Sequence, residues 1–134
     1  MQKAGIEYRQ QVARGLEAYI DAEQIKRALV NLMKNAVQAM RGGGELVVQA
    51  SEVKGEMVIE IVDDGPGMSA EVRERLFEPF FTTKEQGSGL GMAVVSIAME
   101  ENRGRIEIDS PESGGTVCRL YLPQVAEAEA EEVF

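Results

Sequence analysis

The feature that most constrains the fold is a change in the spacing of apolar residues along the first half of the chain. From Ile25 to Met40 these residues recur every three or four positions, which is the spacing of one helix face. Three consecutive glycines at 42–44 then stop the helix. Beyond them Leu46, Val48 and Ala50 alternate as they would in a strand. The sequence therefore predicts a long helix packed on a sheet.

The remaining segments extend this pattern to a complete domain. In chain order we expect a strand at 5–12, a helix capped by Asp21, a strand at 46–50, a turn at Lys54-Gly55, a strand at 57–63, a short helix capped by Ser69, an apolar helix at 90–101, and strands at 105–109 and 116–122. In the last strand Cys118, Leu120 and Leu122 should face inward. This order predicts an α+β fold: a two-layer α/β sandwich whose mixed, mostly antiparallel sheet of about five strands carries about three helices on one face.

Composition excludes several kinds of chemistry. The 134 residues contain no histidine and one cysteine, and the formal net charge is −9. Without histidine the chain cannot form a Ser-His-Asp or Cys-His site, an imidazole zinc site or a phosphohistidine of its own. A single cysteine forms no internal disulfide, which suits a reducing compartment. The acidic charge argues against binding to nucleic acid.

The chain length fits one domain, which we place at 1–123, followed by an acidic low-complexity tail at 124–134. No apolar run reaches the roughly 18 residues of a membrane span. The polar first ten residues do not resemble a secretory signal. We therefore expect a cytoplasmic domain with no direct membrane contact.

Polar residues form a stripe along the first long helix. Gln24, Arg27, Asn31, Asn35 and Gln38 follow one another at steps of three or four. Asparagine costs about half a kcal/mol relative to alanine inside a helix, so two of them one turn apart suggest a use. An amide offers oxygen to a hard cation and N–H to an anion. The alternative is an ordinary solvated face.

A carboxylate and two glycines follow the strand at 57–63. Asp63 is in phase with the apolar residues Ile59 and Ile61, and a carboxylate at the edge of a core is costly unless it is hydrogen-bonded. An amine-bearing ring such as adenine would satisfy it. Gly65 and Gly67 would let the backbone approach a flat ligand closely. The alternative is a simple tight turn.

Two further segments precede the second apolar helix. The run Gly87-Ser88-Gly89-Leu90-Gly91 could cradle phosphate with backbone N–H groups at a helix N-terminus, or could be only a flexible turn. It matches neither the P-loop nor the dinucleotide fingerprint. Residues 77–84 hold three of the four phenylalanines, and could anchor a lid or simply plug the sheet.

Taken in order, these four segments resemble the sequence boxes of one protein family. Asn31-Leu32-Met33-Lys34-Asn35-Ala36 resembles the N box, Asp63-x-Gly65-x-Gly67 the G1 box, residues 77–84 the F box, and Gly87-x-Gly89-x-Gly91 the G2 box. Together they look like the catalytic ATP-binding domain of bacterial sensor histidine kinases, in the superfamily of gyrase, Hsp90 and MutL ATPases. The resemblance runs from about residue 21 to 123 and implies the Bergerat-type ATP-binding fold.

The resemblance implies roles for individual residues. Asn35 would coordinate Mg²⁺ through its amide oxygen, and Asn31 would contact the phosphates or a metal-bound water, which makes these two the catalytic candidates. Asp63 would accept a hydrogen bond from the adenine amino group, with Met68 packed on the ring. The other implied ATP-binding residues are Lys34, Gly65, Gly67, Phe80, Thr83, Lys84, Gly87, Ser88, Gly89, Leu90, Gly91 and Thr116.

The resemblance also implies a function and its partners. The domain would bind ATP and Mg²⁺ and donate the γ-phosphate to a histidine on a separate dimerisation domain, which would serve a response regulator receiver domain in two-component signalling. Hydrolytic relatives and anti-sigma-type serine kinases carry a glutamate general base four positions before the metal-binding asparagine. Here Asn31 stands at that position, and an amide cannot accept a proton near neutral pH.

Asn31 therefore favours a histidine kinase over a stand-alone ATPase or a serine kinase. A degenerate interaction module that binds no nucleotide is the remaining alternative. We expect a monomer when the domain is isolated, and it could be the cytosolic part of a membrane-anchored sensor.

Two features depart from or refine the resemblance. Many family members carry a His-Gly pair at the end of the second apolar helix, where this chain has Asn102-Arg103-Gly104. The segment between Lys84 and Gly87 is very short, which resembles nitrogen-regulation-type kinases.

Overall fold

The part of the chain that the structure describes forms one sheet with helices packed on it. In the computed structural model this part comprises residues 6–12, 20–40, 43–78, 91–111 and 114–124. The elements are β1 (Ile6–Val12), α1 (Ala22–Ala39), β2 (Gly44–Val53), β3 (Glu56–Asp63), α2 (Ala70–Arg75), α3 (Gly91–Glu101), β4 (Arg105–Asp109) and β5 (Thr116–Pro123).

The sheet has the strand order β1-β2-β3-β5-β4. The strands β2, β3, β5 and β4 pair antiparallel, and β1 adds to β2 in parallel. The predicted α/β sandwich with a mixed, mostly antiparallel sheet is confirmed. Since β3 is the central strand, residues at its end have neighbours on both sides.

The core lies between the sheet and the two long helices, which pack against each other. Helix α1 buries the face that its apolar spacing predicted, with Ala28 fully enclosed. The predicted inward face of β5 is confirmed, because Cys118, Leu120 and Leu122 are all buried. Helix α2 is short and buries none of its residues.

Local sequence signals set the ends of the helices. The carboxylate of Asp21 accepts a hydrogen bond from Gln24 N at 3.1 Å, and the hydroxyl of Ser69 accepts one from Val72 N at 3.2 Å. Both residues are therefore the N-caps that the sequence predicted. None of the helices within the described ranges is long and apolar enough to cross a bilayer.

The β2–β3 hairpin turns through two residues with positive φ. Lys54 has φ 49° and Gly55 has φ 81°. Positive φ at both central residues is the pattern of a type I′ turn, whose twist matches that of the paired strands. The predicted turn is confirmed.

Helix α3 ends in a Schellman motif. Gly104 N donates to Met99 O at 2.8 Å and Arg103 N donates to Glu100 O at 3.1 Å, so Asn102 is the last half-helical residue. Arg103 follows with φ 59°, the left-handed conformation that favours glycine. A side chain at Gly104 would collide with the Tyr121 carbonyl, so the chain passes directly from α3 onto the sheet.

Candidate functional site

The site centres on Asp63, at the end of the central strand. Its Cα is paired with that of Leu46 on β2 and that of Thr116 on β5. Asp63 and Thr116 are both only 8% exposed, although both are polar. The structure thus brings together two residues that were predicted to bind ATP from distant parts of the sequence.

The carboxylate of Asp63 is held at low hydration. Burial raises its pKa above the usual value, the hydrogen bond from the Gly65 N–H opposes this, and the neighbouring charge of Asp64 adds to the rise. Oδ1 accepts that Gly65 bond at 2.9 Å. Oδ2 accepts no hydrogen bond from the described residues, so it can take a donor from a ligand.

The loop after Asp63 requires glycine at two positions. A Cβ on Gly65 would lie 3.0 Å from Asp63 Oδ1. Gly67 has φ 81°, and a Cβ there would lie 2.6 Å from Ser110 Oγ. Both predicted G1-box glycines therefore have a structural reason to be glycine, and they keep the loop close to the sheet edge.

Ser110 joins this loop to the one that precedes β5. Its Oγ accepts from Met68 N at 2.7 Å and donates to Gly115 O at 3.0 Å, while Gly115 N donates to Gly65 O at 2.8 Å. Gly115 has φ 84°, and a Cβ there would lie 2.5 Å from Asp63 O. The network fixes the backbone around Asp63. Sequence reasoning missed Ser110, because a single serine after a strand carries no motif.

The end of helix α1, the helix that carries the polar stripe, meets the loop after Asp63. The position of a Cβ on Gly65 lies 3.4 Å from Met40 Cγ and 3.7 Å from the carbonyl carbon of Ala39. Asn35 is one turn before Ala39, and Asn31 is one turn earlier; both are half-buried. The two amides therefore lie one and two turns before the point where α1 meets the Asp63 loop, whereas Lys34 is exposed.

The remaining predicted site residues are only partly located. Gly91 is the first residue of α3, and a Cβ there would have no neighbour within 4 Å among the described residues. The other predicted residues of the F and G2 boxes lie outside the described ranges: Phe80, Thr83, Lys84, Gly87, Ser88, Gly89 and Leu90. Their roles stay predictions.

Comparison with known proteins relates the chain to kinases and ATPases. The family described as "Histidine kinase-, DNA gyrase B-, and HSP90-like ATPase" matches residues 20–126. Nitrogen regulation protein NtrY of Azorhizobium caulinodans is 42% identical over 120 residues, which cover 84% of this chain and 16% of NtrY. Sensor histidine kinase ZraS of Escherichia coli K12 is 38% identical over 107 residues, which cover 80% of this chain and 23% of ZraS. The chain thus spans less than a quarter of either relative.

Solved structures give the same relationship. The catalytic domain of histidine kinase ThkA has a TM-score of 0.81 and 29% identity, covering 89% of this chain and 79% of that chain. The structure of ThkA in complex with response regulator protein TrrA has a TM-score of 0.75 and 26% identity, covering 90% of this chain and 34% of that chain.

Proposed function

Because the chain belongs to the histidine kinase-, DNA gyrase B- and HSP90-like ATPase family, we propose that it binds ATP with Mg²⁺ and donates the γ-phosphate to a histidine on a separate dimerisation domain. Membership in the family assigns a nucleotide-binding domain. The metal, the individual contacts, the phosphate acceptor and the partners are our proposals. The observation that carries them is the buried carboxylate of Asp63 beside a glycine loop, which meets the end of the helix that carries the two amides.

The adenine would be recognised by Asp63. An amino group on the ring can donate to Oδ2, while Oδ1 stays bonded to Gly65 N. Such a bond offsets part of the cost of the buried charge, because charge-assisted hydrogen bonds are about twice as strong as neutral ones. Met68, held in place through Ser110, would pack on the ring.

The phosphates and Mg²⁺ would lie along the polar stripe of α1. The half-buried amides of Asn31 and Asn35 supply neutral oxygens, which suit a cation that keeps most of its waters and leans on phosphate oxygens. When bound, Mg²⁺ neutralises negative charge on the transferring phosphoryl group. Lys34, exposed on the same helix, and Lys84 would add positive charge.

The side chain at position 31 decides between transfer and hydrolysis. An amide orients a phosphate or a water but cannot remove a proton, so position 31 supplies no general base to activate a water or a hydroxyl. A histidine nitrogen is a nucleophile without such help. The chain would therefore hold its nucleotide until a histidine is presented, and the phosphohistidine would then serve a response regulator receiver domain.

Transfer in trans tests this proposal. The chain is mixed with γ-labelled ATP, Mg²⁺ and the histidine-bearing dimerisation domain of a relative such as NtrY; the control is the same domain with its histidine replaced by glutamine. We expect acid-labile label on the intact dimerisation domain alone. Tight ATP binding with rapid phosphate release and no labelled histidine would contradict the proposal and indicate a hydrolase.

A further inference from the structure

The end of α3 is fastened to the start of α1 by a buried amide. Asn102 is 7% exposed. Its Oδ1 accepts from Asp21 N at 2.7 Å, and its Nδ2 donates to Gln24 Oε1 at 2.7 Å and to Ala98 O at 2.7 Å. These bonds hold the N-cap of one helix against the C-cap of the other.

A second, more exposed bond supports the same contact. Gln24 Nε2 donates to Glu101 Oε1 at 3.0 Å. The amide of Gln24 therefore bridges two successive residues at the end of α3. We call the contact formed by Asp21, Gln24, Glu101 and Asn102 the helix latch.

Gln24 of the helix latch belongs to the same polar stripe of α1 as the proposed metal-binding amides. Asn31 and Asn35 follow Gln24 by seven and eleven positions, which is close to two and three turns, so the three side chains leave α1 on one flank. Gln24 contacts α3 from that flank. The amides of Asn31 and Asn35 therefore lie on the side of α1 that faces α3.

The lengths of the helices give the positions of these residues along the helix axes. The latch joins the start of α1 to the end of α3, so the packed helices run in opposite directions. At about 1.5 Å per residue, Asn31 lies about 15 Å from Asp21, and Gly91 lies about 16 Å from Asn102. Asn31 is thus level with the first turn of α3, where the glycine-rich segment ends.

We propose that Asn102 is a positioning residue for the nucleotide site: by fixing α1 lengthwise against α3, it sets the distance between the amides of Asn31 and Asn35 and the first turn of α3. The inference rests on the proposed function, because it assigns that separation to the phosphates and Mg²⁺. Adenine recognition at Asp63 depends on β3, β5 and Ser110, and does not involve the helix latch.

The latch is therefore expected to affect two kinds of ligand differently. A ligand that carries a γ-phosphate and Mg²⁺ needs both the amides of α1 and the first turn of α3 in place. ADP without Mg²⁺ depends more on the adenine site. A residue that only stabilised the fold would change both affinities by the same factor.

The test is calorimetric titration of folded protein with a non-hydrolysable ATP analogue plus Mg²⁺, and with ADP plus a chelator. We expect Asn102→Ala to weaken binding of the ATP analogue with Mg²⁺ about tenfold, because α1 is then free to shift along α3, and to weaken binding of ADP with chelator less than about twofold. Asn102→Asp keeps the shape and the acceptor but turns both donated bonds into contacts between oxygens, so it should weaken binding of the ATP analogue at least as much as Asn102→Ala. Gln24→Ala removes one bond to Asn102 and the exposed bond to Glu101 but leaves the bond from Asp21 N to Asn102, and should have a smaller effect in the same direction.

Val58→Ala is the matched control, because Val58 is buried on β3 outside the main core cluster. It should lower the melting temperature and leave the ratio of the two affinities unchanged. If the Asn102 variants also leave that ratio unchanged, the positioning role is wrong and the latch is only structural. If the wild-type chain binds neither ligand, the proposed function fails and this inference fails with it.

Discussion

At the scale of single residues, Asp63 is a group whose burial costs stability. Its carboxylate lies in the central strand among apolar neighbours, and burial raises its pKa from the usual 3.8. Asparagine has a similar shape, keeps an oxygen for the Gly65 N–H and carries no charge to desolvate. The cost of the charge is therefore a reason to assign the residue to ligand recognition.

We predict that Asp63→Asn makes the chain more stable and a poorer binder of adenine nucleotides. A raised folded-state pKa means that the stability contributed by Asp63 is full below its unfolded pKa and is lost as the pH rises through the folded pKa. In urea denaturation at neutral pH the variant should therefore have a higher free energy of unfolding than the wild type. The difference should disappear in acid. Affinity for ADP should fall about tenfold or more, because the atom that faces the adenine amino group becomes an amide N–H donor and can no longer accept its hydrogen bond.

The discrimination between bases checks the same residue. The wild type should prefer ATP to GTP, and Asp63→Asn should reduce the preference. Equal affinities of the wild type for ATP and GTP would show that Asp63 does not recognise the adenine base.

We predict that Asn35→Ala removes the effect of Mg²⁺ on ATP affinity. The half-buried amide is the proposed metal ligand, and alanine is favoured over asparagine inside a helix by about half a kcal/mol, so the fold should survive. Titration of the ATP analogue with and without Mg²⁺ measures the effect. Gln38→Ala, at an exposed position of the same stripe, should keep it. A normal Mg²⁺ dependence in Asn35→Ala would contradict the assignment.

At the scale of elements, the end of α3 carries local strain. Arg103 adopts φ 59° at the position of the Schellman motif where glycine is usual. We predict that Arg103→Gly raises the free energy of unfolding by about 1 kcal/mol relative to Arg103→Ala, which keeps the strain and removes the long side chain. Urea denaturation measures the difference, and ADP affinity should be unchanged in both. Equal stability of the two variants would show that the conformation at 103 is not strained.

The elements also show why sequence reasoning succeeded where it did. The caps Asp21 and Ser69 and the turn at Lys54-Gly55 were predictable, because each depends on residues within three positions. The bond from Met68 to Ser110 joins residues 42 positions apart, and the bond from Asp21 to Asn102 joins residues 81 positions apart. Contacts of that range follow only from the strand order and the helix packing, which no local pattern specifies.

The candidate site was predicted in part for the same reason. The placement of Asp63 toward the core followed from strand alternation, and the stripe containing Asn31 and Asn35 followed from helix spacing. The meeting of Asp63 with Thr116 required the antiparallel pairing of β3 with β5. Sequence reasoning noted Asn102 only as a departure from the family, because its partners are brought to it by the fold.

At the scale of the whole molecule, the one cysteine reports on unfolding. Cys118 is 6% exposed, and burial, with a smaller effect from the charge of Asp63, raises its pKa to about 12. The folded chain therefore presents almost no thiolate at neutral pH. We predict that a thiol reagent labels Cys118 only through unfolding or a large opening, and that ADP with Mg²⁺ slows labelling as ligand binding stabilises the folded state.

Denatured chain is the control for that measurement, since its free thiol should react at the ordinary rate. Labelling of the native chain at that same rate would contradict the buried position of Cys118. A rate that nucleotide leaves unchanged would show that the opening which exposes Cys118 does not involve the nucleotide site.

Each of these roles depends on the proposal that the Asp63 edge of the sheet binds ATP with Mg²⁺. Isothermal titration with ADP and with a non-hydrolysable ATP analogue, each with and without Mg²⁺, tests it most directly. We expect micromolar binding of the analogue that weakens when Mg²⁺ is removed. Asp63→Asn should lower the affinity for both nucleotides, and Asn35→Ala should remove the gain in affinity that Mg²⁺ gives. No binding of either ligand at millimolar concentration would contradict this proposal and favour a role of the domain in contacts with another protein.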